Sequence, residues 1–168
     1  MTVNKSILVT AADNLDTQGD QGNYSKLKYV ASRVALSGAA SDNDIILFFE
    51  CPVNAKISSI KLSSDDLGTT GDINIGFYPG PGSGTTIATA SDAVDEDAIG
   101  TAVDVNAAAL SKSEIRFETK DINTIDDKAW ELAGLSSAPD YGTFYIAATF
   151  SEASTAAGDV VLEMEYTE

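Results

Sequence analysis

The carboxylates of "DAVDEDAIG", at Asp92, Asp95, Glu96 and Asp97, are the densest set of groups in this chain that could do chemistry. Hard oxygen ligands crowded into one loop suit calcium. Their spacing is not that of an EF-hand, however, and like charges in a loop are more often spread into water or used at an interface. The run therefore reads as a solvated acidic loop, with a calcium site as the alternative and no other metal or cofactor expected. Paired carboxylates could also hydrolyse a glycoside, one serving as acid and the other as base or nucleophile. Among 26 acidic residues some pair at a suitable separation is inevitable, and none stands out.

The remaining reactive types are few. The chain has no histidine, which removes Ser-His-Asp and Cys-His catalysis together with the usual zinc ligand sets. Its one cysteine, Cys51, follows Phe48 and Phe49 and reads as a buried free thiol with no partner for an internal disulfide. "PGPGSG" has the glycines of a phosphate cradle but lacks the Gly-Lys-Ser/Thr ending and a following helix, so it is a turn. Trp130, Tyr141 and Tyr145 could stack on a sugar, although a domain of this size usually spends its one tryptophan in the core or at its rim. No enzymatic activity is expected.

A formal net charge of -16 would repel nucleic acid and anionic membrane surfaces, so neither is an expected partner. No run of about 18 apolar residues occurs, and "MTVNKSILVTAAD" is too short in apolar residues for a secretory signal. A soluble protein made in a cytoplasm is expected.

The elements that must position these groups read mostly as strands. Residues 1–25 are polar and glycine-punctuated after an apolar patch at Ile7, Leu8 and Val9. That is the pattern of an arm or added strand on a loose linker, and the three residues are candidate partner contacts. Residues 26–168 are expected to form one sandwich domain. "KLKYVASRVAL" and "DIILFFECPV" are rich in β-branched and aromatic residues; residues 45–49 are apolar on both faces, as in a central strand or a subunit contact, and Pro52 ends that ladder. In "SSIKLSSDDLGTTGDINIGFYPG", residues 58–80, Ile60 and Leu62 share a face, Asp66, Gly68 and Gly71 mark a turn, and Ile73, Ile75 and Phe77 alternate with small or polar residues. This reads as a hairpin-like unit.

"TTIATA" is expected to be a short strand, and residues 91–113 a loop excursion with at most one helical turn near residues 95–99. Clean alternation returns at Ile115 and Phe117, at Phe144, Ile146, Ala148 and Phe150, and at Val160, Leu162, Met164 and Tyr166. "DKAWELAGL" is the best helical candidate, with Gly134 as its stop. About eight strands at this spacing with almost no helix predict an all-β fold, an antiparallel β-sandwich of jelly-roll type.

"AKISSIKLSSDDLGTTGDINIGFYPG", "DEDAIGTAVDVNAA" and "KAWELAGLSSAPDYGTFYIAATFSEASTAAGDVVLEMEY" together resemble tailed-bacteriophage virion structural proteins, in which the same textures occur in the same order. The resemblance covers roughly residues 55–166, about two thirds of the chain, and none of its motifs is catalytic. It implies a capsid decoration or head-associated protein on the virion surface, assembled in the host bacterial cytoplasm. The implied partners are the major capsid protein and neighbouring copies of itself, for example as a trimer. A tail, collar or fibre component that attaches to a host surface is the alternative; a secreted surface-array sandwich would need an export signal.

Overall fold

Alternation at Phe144, Ile146, Ala148 and Phe150 buries one face of a ten-residue strand, and the same period buries Val160, Leu162 and Met164 on the last. The computed structural model describes residues 27–106 and 108–168, and these form eight strands in two four-stranded antiparallel sheets. The strands are β1 (Lys28–Leu36), β2 (Ile45–Pro52), β3 (Lys56–Ser64), β4 (Asp72–Pro79), β5 (Asp95–Asp104), β6 (Leu110–Glu114), β7 (Thr143–Glu152) and β8 (Gly158–Thr167).

Their pairing is nested. β1 pairs with β8, β2 with β7, β3 with β6 and β4 with β5, as though one long antiparallel ribbon had been folded over on itself. Two further ladders, β3 with β8 and β4 with β7, knit the ribbon into sheets ordered β1-β8-β3-β6 and β2-β7-β4-β5. This is the expected jelly-roll sandwich. The core between the sheets includes Ile57, Ile60 and Leu62 from β3, Ile73, Ile75 and Phe77 from β4, and the inward residues of β7 and β8. The Phe77 and Phe144 rings meet there with centroids 5.2 Å apart.

Several local expectations are corrected. Residues 58–80 are not a hairpin, because β3 and β4 lie in opposite sheets and the turn between them carries the chain across the sandwich. Of the two places open to β2, a central strand or a subunit contact, the first is excluded, because β2 is an edge strand with Leu47 41% exposed. "TTIATA" forms no strand, whereas residues 95–104, read as a loop, form β5; the short helical turn sits earlier, at Ala90–Asp92. β6 ends at Glu114, so Ile115 and Phe117 follow the strand, although Ile115 still enters the core. The expected helix is present as the single turn α1 (Ala129–Leu132), with Gly134 at φ 71 just beyond it, the left-handed conformation that terminates helices.

Candidate interaction surface

The acidic run is not a solvated loop. Its backbone from Asp95 lies against the outer face of β4, so closely that a Cβ on Gly76 would stand 2.1 Å from the Asp95 carbonyl oxygen. Only glycine allows that approach. Between the pairs Phe77↔Asp95 and Ile75↔Gly100 the register breaks, and the surplus residues of β5 form a wide bulge that sends Ala98 and Ile99 into the core. All four carboxylates are half-buried and each is held differently. Asp92 accepts hydrogen bonds from the Ala88 and Thr89 backbone N–H groups, which hold its carboxyl below the ordinary range. Glu96 accepts from the Asn74 side-chain amide, and Asp97 from the Thr101 hydroxyl. Burial, and then the neighbouring Asp97 carboxyl, push Asp95 up. Among the described residues no three carboxylate or thiol side chains converge as a metal site would require.

Beneath this bulge the outer face of the second sheet is polar and closed. Tyr78 reaches along β7 to Thr149, and the Asn74 side-chain oxygen accepts from the Ala102 backbone N–H. Burial raises the Tyr78 phenol above its ordinary value.

The other candidates take structural places. Cys51 is fully buried, and desolvation pushes its thiol up to about 12. The Gly80 to Ser83 turn of "PGPGSG" lies beside Tyr141 and Thr143, with a Cβ on Gly80 meeting the Thr143 carbonyl at 2.0 Å. Trp130 and Tyr141 pack against the core, and Tyr141 meets Phe144 edge-on at 5.8 Å. Trp130, Tyr141 and Tyr145 make no ring pair with one another. Ile7, Leu8 and Val9 lie outside the described residues.

What sequence reading missed is the unequal character of the four sheet edges. An edge strand offers unpaired N–H and C=O groups to any other chain, and proteins blunt it with bulges, proline, short length or cover. β2 carries a bulge between Leu47 and Phe49 and ends at Pro52. β5 breaks register twice against β4, and β6 has only five residues, with Lys112 at φ 51. Among the described residues β1 has no bulge, no proline and no covering segment. It runs nine residues in unbroken register with β8, and its inward Val30, Val34 and Leu36 are only half-buried. Its two cations are spent on neighbours: Lys28 pairs with Glu168, and the Arg33 guanidinium lies 2.6 Å from Asp159.

Exposed apolar side chains occur on both edge strands. Leu27 and Tyr29 stand at the start of β1, and Leu47 stands on β2, which borders the same open side of the sandwich. An open hollow of about 340 Å³ lies where β1 passes to β2, lined by Leu36, Ala40, Asp44, Ile45, Ile46 and Phe150. Ile122 and Ile125 are also exposed, on the helical turn Ile122–Asp126. That turn is pinned by the buried Arg116, which donates from Nε to the Ile57 carbonyl and from Nη2 to the Thr124 carbonyl, at 3.0 and 2.8 Å.

No family model matches the chain, and no curated protein does. Solved structures share its architecture. A chain of the cyanophage Pam1 capsid asymmetric unit superposes with a TM-score of 0.55 at 17% identity, over 89% of either chain. A chain of the capsid of Ralstonia phage GP4 superposes with a TM-score of 0.58 at 18% identity, over 85% of this chain and 84% of that one. The likeness is one of fold. It extends through most of the length in both cases, so an eight-stranded sandwich of this kind is a component found in phage capsid assemblies.

Proposed function

We propose that this chain is a non-enzymatic structural protein of a tailed-phage virion, a decoration protein that binds the outer surface of the head. The observation that carries this reading is the fold likeness, over 89% and 85% of the chain, to chains of two phage capsid structures. The character of the surface supports it. Among the described residues one long sheet edge, β1, runs nine residues in regular register without bulge or proline. A protein of this type acts by burying area across neighbouring subunits, and the quality of a few contacts decides its affinity. The charge of -16 suits a position facing away from the packaged genome, where like charge keeps particles dispersed.

The test is co-sedimentation of the purified protein with undecorated phage capsids, beside light scattering on the protein alone. Saturable binding at a fixed copy number per shell is the expected result. A stable soluble protein that ignores capsids but binds host surface glycans or tail structures would overturn the head assignment in favour of attachment.

A further inference from the structure

We propose that the β1 edge is the acceptor for the Ile7–Val9 segment of a neighbouring copy, which adds to the β1-β8-β3-β6 sheet as a fifth strand. This rests on the reading of the chain as a self-associating virion component and names the contact by which copies join.

The acceptor is argued from the edges. Of the four, β1 alone is long, regular and free of bulge or proline, and main-chain pairing needs an extended ladder of that kind. Its inner face is also unfinished, because Val30, Val34 and Leu36 are half-buried at the open side of the sandwich, where Phe49 of β2 is half-buried too. A strand laid beside β1 with apolar residues at alternate positions would close that side of the core.

The donor is argued from the sequence and from where the described chain begins. In "KSILVT" Ile7 and Val9 fall on one face of an extended chain and Leu8 on the other. Beside β1, with Leu8 opposite the outward, exposed Ala31, Ile7 and Val9 fall opposite Val30 and Ser32 on the inward face. Residues 11–26 separate the donor from Leu27; fully extended, such a linker spans roughly 50 Å. A hairpin back onto the chain's own β1 would need only about 2–5 residues. The longer, polar linker, with Gly19, Gly22 and three aspartates, is suited to crossing to another molecule. β1 bears no carboxylate of its own, and its two cations are paired with Glu168 and Asp159.

The experiment places a photoreactive benzoylphenylalanine at position 8 and co-refolds light chains with nitrogen-heavy ones before irradiation. Cross-linked peptides joining residue 8 to residues 28–36 with one light and one heavy partner are expected. The Ile7→Asp/Val9→Asp variant should then run as a monomer in light scattering with its thermal transition retained. Cross-links of a single isotope only, cross-links to another strand, or a wild-type monomer would each overturn the proposal. Failure of an arm-exchanged oligomer to bind capsids would instead count against the proposed function and leave the arm contact standing.

Discussion

The Tyr78 hydroxyl lies 2.6 Å from the Thr149 hydroxyl on the outer face of the second sheet, and both side chains are buried. Removing one partner strands the other without water. Tyr78→Phe is expected to cost about 1–2 kcal/mol, read as a lower denaturant midpoint at unchanged slope. Adding Thr149→Val should cost much less than it does alone, because the stranded hydroxyl is then gone. Additive losses would show that the two groups do not act as a pair.

At Gly76 the β5 backbone occupies the space a side chain would need. Its missing side chain leaves room for the Asp95 carbonyl, which a Cβ would meet at 2.1 Å. Gly76→Ala should therefore displace the whole bulge, with a loss of about 3 kcal/mol or more and increased hydrogen exchange in residues 94–100. A loss under about 1 kcal/mol would mean that the bulge gives way easily.

Asp95 is an acid whose folded pKa is raised, by burial first and then by Asp97. Such a group binds its proton more tightly in the folded state, so its stabilising contribution is present at low pH and is lost as pH rises through the folded value. Asp95→Asn should raise stability at neutral pH and give no gain below the ordinary carboxylate range. Asp92 has the opposite sign, because hydrogen bonds lower its pKa: its contribution is present above the ordinary range and is lost as pH falls. Asp92→Asn should flatten the acid limb. Denaturant midpoints at about pH 3 and pH 7 separate the two.

Arg116 is buried, and its guanidinium finds carbonyl and hydroxyl oxygens of Ile57 and Thr124. Burial lowers its pKa, yet arginine remains charged at any ordinary pH. Arg116→Met should free the Ile122–Asp126 turn at a cost of about 2–4 kcal/mol, visible as faster exchange of the Asn123 to Asp127 amides. Unchanged protection there would mean that the turn is held by something else.

Cys51 should resist thiol reagents in the folded protein. A thiol raised to about 12 and buried is neither ionised nor reachable at pH 8. Labelling should proceed at the rate of unfolding and accelerate with denaturant; rapid native labelling would contradict the packing around β2.

The strands with one wet face were readable in advance, because Val160, Leu162 and Met164 alternate cleanly with Val161, Glu163 and Glu165. β5 was not, since "DEDAIGTAVD" becomes a strand by lying along β4 and has little strand character of its own. Turn chemistry at Asp66, Gly68 and Gly71 correctly marked a reversal, but the same residues serve a hairpin and a crossing between sheets, and only the pairing partners decide. β2 was left with two readings for a related reason: an apolar outward face looks the same whether a sheet or another molecule covers it, and the edge position removes the first. The acidic run was misplaced because Gly76, the residue that admits it, lies in another strand and carries no side chain to announce the contact.

The nested pairing of β1 with β8 also sets the order in which this protein can be made. β8 lies between β1 and β3, so until its residues leave the ribosome the first sheet has only its β3 and β6 ladder, and β1 has no partner in it. Closure of that sheet therefore waits for β8, and it joins the first and last of the described strands, the kind of long loop that slows folding. The ten residues of β8 are what join β1 to the β3 and β6 ladder and complete the first sheet.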